Sequence, residues 1–282
     1  MENRQLKLIH LVFLLCLSVF AFSTSSIASQ KDGLLRVHFF DIGQGDSIFI
    51  EAPNGNQVLV DGGPDNAVLQ KLGEVIPFYD RNIDVVVSTH SDADHITGLV
   101  GVLERYEVEN IVYSNILRNS SLYDTWQKVV VEEEANIIDP VAGKIIDLGN
   151  EMTLTIIHPA ESLVGAVREK VNNDSVVLML NYGETEILLT GDTEAKAERQ
   201  IILSGVDIDV DILKIAHHGS KTSTTEEFLY EVSPQVAVIQ VGAKNRYGHP
   251  TPEVLKRLED YDIKHYRTDM DGDIQVISDG KN

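Results

Sequence analysis

Four times along this chain a short β-branched or aliphatic run stops at a turn built from aspartate, histidine and glycine. Val58-Leu59-Val60 runs into Asp61-Gly62-Gly63, and Ile83-Asp84-Val85-Val86-Val87 runs into Ser88-Thr89-His90-Ser91-Asp92-Ala93-Asp94-His95. Glu186-Ile187-Leu188-Leu189-Thr190 runs into Gly191-Asp192, and Val210 to Ala216 into His217-His218-Gly219-Ser220. Runs of this length and composition read as buried strands. Polar groups just past the ends of neighbouring strands converge on one pocket. One aspartate after a strand is ordinary turn or cap chemistry. Four such ends in one chain call for a sheet-based α/β architecture whose strand ends share a site.

The densest of these ends is His90 to His95, with two imidazoles and two carboxylates in six residues. Imidazole suits zinc, iron or manganese, and carboxylate suits harder cations such as Mn²⁺ and Mg²⁺. The plainer alternative is an acidic capping turn with incidental histidines. The metal reading is preferred because the ligands follow directly on a strand, and Asp192 and the His217-His218 pair offer partners. Which of those two adjacent imidazoles ligates is open at this level. His158, alone after a strand, reads as structural.

Strands are expected at 34–40, 47–51 and 57–60, with Pro53-Asn54-Gly55-Asn56 as a hairpin turn. Further strands are expected at 84–89, 110–113, 153–157, 175–180, 186–190, 211–216 and 236–240. Helices are expected over 65–78, 97–106, 123–135, 194–204, 225–232 and 252–260. Ser223-x-x-Glu226 reads as a capping box, and Thr251-Pro252 as a cap with proline at the first helical position.

The N-terminus reads differently. Arg4 and Lys7 precede an apolar run from Leu8 to Phe22, and Ser26-Ile27-Ala28 offers a cleavage site, the plan of a secretory signal peptide. An uncleaved signal anchor is the alternative. The expected organisation is a signal peptide over 1–29 and one domain over 30–282, secreted or periplasmic. Cys16 is the one cysteine and lies in the leader, so disulfides and thiolate ligands play no part in the domain. With 44 Asp and Glu against 23 Lys and Arg, the net charge is −21, which disfavours tight electrostatic binding of nucleic acid. Divalent cations at a pocket reverse the local sign, so a phosphodiester substrate stays open. No basic patch interleaves with aromatics, no Gly-x-Ser-x-Gly elbow appears, and Gly43-Gln44-Gly45-Asp46 is not a phosphate loop because no Gly-Lys-Ser/Thr follows.

These motifs together resemble the metallo-β-lactamase superfamily, whose loop pattern is His-x-His-x-Asp-His. Here the loop is His90-Ser91-Asp92-Ala93-Asp94-His95, with Asp92 where the second histidine is usual. Within the superfamily the chain most resembles the soluble metallo-hydrolase domain of ComEC-type competence proteins. The segments that carry this resemblance are Phe40 to Asp46, the histidine loop, Asn172 to Leu178, Leu213 to Ser223 and Asn245 to Pro250. The resemblance implies an α/β (α+β) fold, a four-layer αββα metallo-β-lactamase sandwich. Competence proteins of this type also carry a membrane channel, and because only the leader of this chain is long and apolar, a stand-alone exported form with no integral membrane domain beyond the leader is expected. The resemblance also implies a site for two divalent ions (Mn, Zn or Mg) held by His90, Asp92, Asp94, His95, Asp192 and His217, with Asp192 bridging and Asp61 behind the ligands. The oxygen-rich donors shift preference toward Mn²⁺ or Mg²⁺, although zinc binds more tightly in general. Asp94 and Asp192 would be catalytic, acting with a metal-activated water. Gln44, Asp46, Asn173, His218, Lys221 and His249 would face the substrate. The implied activity is phosphodiester hydrolysis, on DNA or a small phosphodiester. Hydrolysis of a small ester, lactone or amide, and a catalytically silent binding protein, are the other readings.

Overall fold

The computed structural model describes residues 33–281, and the expected leader with its boundary at residue 30 lies outside them. Two sheets of seven strands make up the described residues. In the first, β1 (Leu35–Phe39), β2 (Ile48–Glu51) and β3 (Gln57–Val60) pair antiparallel, and the expected turn at 53–56 closes the β2–β3 hairpin. The strands β4 (Asn82–Val87), β5 (Glu107–Val112) and β6 (Asn136–Ile138) then add in parallel. The second sheet contains β7 (Ile145–Gly149), β8 (Met152–His158), β9 (Val177–Tyr182), β10 (Thr185–Leu189), β11 (Ile212–Lys214), β12 (Val236–Ile239) and β13 (Lys264–Arg267), side by side in chain order. Last, β14 (Ile274–Ser278) returns to the first sheet and pairs antiparallel with β1, Leu35 opposite Ser278.

Side-chain alternation places the layers. Val58, Val60, Val85 and Val87 face Leu154, Ile156, Leu178, Leu180, Ile187 and Leu189 in a core between the sheets. The intervening Leu59 and Val86 point the other way. There they meet helices α1 (Ala67–Val75), α2 (Ala93–Leu103) and α3 (Ser121–Glu133) through Leu72, Leu99, Val102 and Trp126. On the far side Leu188, Leu213 and Ile215 pack under α4 (Ala195–Ser204), α5 (Glu226–Val232) and α6 (Pro252–Asp260) through Ile201, Phe228 and Leu258. Strands buried on both faces read as continuous apolar runs, which is why the central ones stood out in the sequence. The result is an αββα sandwich, with a short α7 (Thr268–Asp271) ahead of β14. Among the described residues no helix is long and apolar enough to cross a membrane.

Two local expectations are corrected. The cap of α5 is Thr225, whose hydroxyl accepts from Phe228 N, while Ser223 donates to the carbonyls of Ala216 and Ser220. Helix α2 begins at Ala93 rather than near residue 97, so Asp94 and His95 sit in its first turn.

Candidate metal centre

The four polar strand ends meet at one end of the sandwich. Past β3, Asp61 adopts a left-handed backbone (φ +58°) and is fully buried. Past β4 the chain crosses His90 and enters α2 at Asp92. The start of α2 is braced from below: Gly62 N donates to His95 O at 2.8 Å and Gly98 N to Gly63 O at 3.1 Å. This close approach requires glycine, since a Cβ on Gly98 would collide with the Gly62 carbonyl. Past β10 comes Asp192. Past β11 the chain makes a 3-10 turn over Ala216–Gly219, in which both His217 (φ +50°) and His218 (φ +54°) are left-handed. Such torsions on bulky residues cost about 1 kcal/mol or more each and persist only where the surroundings impose them.

Three imidazoles are locked by the nitrogen that points away from the centre. His95 Nδ1 lies 2.8 Å from Asp61 Oδ2, and Asp61 also accepts from the Thr89 backbone N at 2.8 Å and hydroxyl at 2.7 Å. Because the Thr89 hydroxyl donates to Asp61, it accepts from His90 Nδ1 at 3.0 Å. His218 Nδ1 lies 2.9 Å from Gln240 O, and Gln240 is itself held by donating to the carbonyls of Phe40 and Ser47. Each Nδ1 therefore carries its proton outward and each Nε2 turns toward the others, an arrangement that orients imidazoles as ligands.

The inward atoms cluster tightly. Asp192 Oδ2 lies 3.4 Å from His95 Nε2, 3.6 Å from His218 Nε2 and 3.8 Å from His217 Nε2. Asp94 Oδ2 lies 3.5 Å from His218 Nε2. The Nε2 atoms of His90, His95 and His218 and Asp192 Oδ1 are buried without a hydrogen-bond partner among the described residues. Buried polar atoms are nearly always partnered, so this many orphans in one place points to a group that satisfies them together. Two donor sets share members: His90, His95 and Asp192, and Asp94, His95 and His218, each with its ligand atoms within 4.8 Å of one another. Imidazole and carboxylate donors of this kind fit a divalent cation.

The charges fit the same reading. Burial opposes a charge on His95, but Asp192 and Asp61 outweigh it and hold its pKa well above the ordinary value. His218 is likewise raised to about 10 against burial by Asp192 and Asp46. His90, buried and beside charged His95, is lowered to about 4. Burial raises Asp192 and Asp94, yet the imidazolium charges prevail and hold both carboxylates below their usual range. His249, lowered to about 4 by burial and then by His217 and His218, is neutral at pH 7.

The residues singled out in the sequence distribute unevenly. His90, Asp94, His95, Asp192 and Asp61 come together past the strand ends, and His218 rather than His217 stands among the close donors. Asp46, expected to face the substrate, is instead buried behind them against Lys214. His217 is half-buried, with Nδ1 3.6 Å from Glu194 and its ring against Asn172. Asp92 lies at the rim, 3.8 Å from His90 Nε2, and pairs with Arg118 at 3.1 Å. Asn173 is committed to the start of α4, accepting from Glu194 N and Ala197 N and donating to Glu194. Gln44 accepts from Gly242 N, and Lys221 is exposed. Sequence reasoning missed Lys214, fully buried and ion-paired with Asp46, whose other oxygen faces His218 Nδ1 at 3.3 Å. It also missed Arg118, Thr89 and Gln240. A lysine inside the apolar run at 212–216 was the one available signal for the first of these.

The fold and the centre define an αββα sandwich with a buried histidine–aspartate cluster fit to hold a divalent cation. Residues 40–243 match the Metallo-beta-lactamase superfamily, and the chain belongs to it. ComE operon protein 3 of Bacillus subtilis is 32% identical over 257 residues, which is 85% of this chain and 32% of that protein. Recombination protein 2 of Haemophilus influenzae is 28% identical, over 94% of this chain and 31% of its own length. Competence protein ComA of Neisseria gonorrhoeae is 29% identical, over 85% and 32%. The chain thus spans about a third of the length of these relatives. Among solved structures, the diiron β-hydroxylase CmlA of Streptomyces venezuelae superposes with a TM-score of 0.55 at 13% identity, covering 86% of this chain and 54% of that one. Zinc-bound PqqB of Methylobacterium extorquens gives 0.51 at 13% identity, covering 83% and 87%. At that identity the likeness concerns the fold.

Proposed function

We propose that this protein is an exported metal-dependent phosphodiesterase, acting on DNA or a small phosphodiester. The observation that carries the reading is the set of inward, unpartnered donors on His90, His95, His218 and Asp192, which fits two neighbouring cations. His90 and His95 with Asp192 would hold one ion, and Asp94 and His218 with the same aspartate the other. Such ions supply Lewis acidity for a phosphoryl oxygen and make water acidic enough to act near neutral pH. Asp94, ionised and partly open to solvent, orients the attacking water by accepting its hydrogen bond. Arg118 donates one N–H to Asp92 at the rim, and its second terminal nitrogen, which has no partner among the described residues, would be available to a phosphoryl oxygen. Asp61, Thr89 and Gln240 hold the imidazoles in place. The competence and recombination names of the relatives support a DNA substrate, and the apolar leader supports export. The net charge of −21 is the observation that favours a second reading, hydrolysis of a small neutral ester or lactone.

The test is turnover of single-stranded DNA and bis-p-nitrophenyl phosphate by protein reconstituted with Mn²⁺, Mg²⁺ or Zn²⁺, with Asp94→Ala alongside. Cleavage that needs the metal and is lost in the variant supports the reading. Metal-loaded protein that cleaves neither substrate overturns it in favour of esters and lactones.

A further inference from the structure

The wall of the site formed by residues 242–249 combines features that no role above uses. The Arg246 guanidinium sits 5.2 Å above the Tyr247 ring. The Tyr247 and His249 rings stack at 5.7 Å with planes 24° apart, and the His249 ring meets the His217 ring edge-on at 5.6 Å. His217 Nε2 in turn lies 3.8 Å from Asp192. The four side chains make a ladder that leads from solvent to the metal centre. Tyr247 is 54% exposed, so folding alone does not account for it. The loop is nevertheless stiff in design. Asn245 Nδ2 donates to Gly242 O and His249 O at 2.8 and 2.7 Å, and Asn245 Oδ1 accepts from Tyr247 N and His249 N at 3.2 and 2.9 Å. Gly242 docks on Gln44, so the loop is fixed to the opposite sheet's first turn.

We propose that the exposed Arg246 guanidinium, held flat by the Tyr247 ring and backed through it by His249, is a stacking platform for a base of single-stranded nucleic acid, placed so that the adjoining phosphate reaches the metal centre. The proposal rests on the phosphodiesterase reading and adds the subsite that selects a base-bearing strand. A chain of net charge −21 cannot draw a polyanion by long-range attraction. Stacking is independent of net charge and tolerant of sequence, because every base offers a π-face. Lys244, Arg246, Tyr247 and His249 fall within six consecutive residues, and the ladder reaches the metal centre because the loop folds back on the His217 turn. Lys244 and Arg246 on the same loop supply local positive charge for the backbone.

The test compares an oligothymidine with an abasic strand of equal length and phosphate count. Fluorescence anisotropy of the full chain in EDTA, where no strand is consumed, gives Kd for both, and cleavage is assayed separately with metal. Tyr247→Ala, which removes the ring that holds the guanidinium flat, is expected to weaken the oligothymidine about five- to 150-fold and leave the abasic strand unchanged, while Tyr247→Phe stays near the wild type. Unaltered oligothymidine binding in Tyr247→Ala, or equal weakening of both strands, overturns the platform. So does wild-type protein that binds both strands alike. Cleavage of both strands at equal rates would retain the phosphodiesterase reading without the platform, and base-dependent binding without any cleavage would do the reverse.

Discussion

Proton release on metal binding gives the sharpest check on the assignment of ligands. In the metal-free protein at pH 7, His95 and His218 are both charged, since their aspartate neighbours outweigh the burial that opposes charge. His90 is already neutral, and Asp94 and Asp192 are already ionised. A cation held by His95 and His218 therefore displaces two protons, and one held by His90 with carboxylates alone displaces none. Linkage makes each proton worth a factor of ten in apparent affinity per pH unit while its histidine stays charged, so two give about 100-fold, or ~2.7 kcal/mol, per unit in the range around pH 7. The sign follows from pKa values raised above the unfolded histidine value. Protons compete, so affinity falls as pH falls, and the metal-free fold loses stabilisation as pH rises from about 6.5 through 10. Titration calorimetry in buffers of different ionisation enthalpy counts the protons, and chelator competition gives the slope. His218→Ala is expected to lower the count by one. A flat affinity over this range, or a count unchanged in that variant, would refute the ligand assignment.

Other perturbations test the supporting structure. Asp61→Asn replaces one acceptor oxygen by an NH2, so the side chain cannot accept from the Thr89 backbone N and from His95 at once, and metal affinity is expected to drop ten- to 100-fold at constant fold, read by chelator competition. Lys214→Met strands the buried Asp46 carboxylate, and urea unfolding of the metal-free protein should report a loss of about 3–5 kcal/mol; a loss under about 1 kcal/mol would mean the pair is more hydrated than its burial indicates. Gly98→Ala drives a methyl into the Gly62 and Asp65 carbonyls, so about 1–3 kcal/mol of stability and part of the metal affinity should go together. An alanine variant as stable as the wild type would contradict the close approach of α2.

The fold was legible where burial is symmetrical. Central strands such as β4 and β10 are apolar on both faces and announced themselves. The four strands the sequence did not reveal are β6, β7, β13 and β14, and these are the four edges of the two sheets. Their residues are mostly exposed or half-buried, and each is held as a strand by a single neighbouring partner. Helix α2 was placed a turn late because its first turn holds Asp94 and His95, whose polarity hides the amphipathic pattern.

The sequence by itself determined that this chain builds a sheet-based α/β body and that histidine and aspartate stand at the strand ends. Those properties are local, because hydrophobic periodicity and ligand chemistry belong to consecutive residues. Tertiary structure alone decided which ligand faces inward. His217 and His218 share almost the same sequence neighbours, and His218 turns to the centre because a left-handed turn aims it at the Gln240 carbonyl, 22 residues away. The Lys214–Asp46 pair spans the two sheets, and the Tyr247 ladder joins a late loop to the turn after β11. Side-chain direction past a strand end follows torsions imposed by distant packing partners, and those partners exist only once the two sheets have closed on each other.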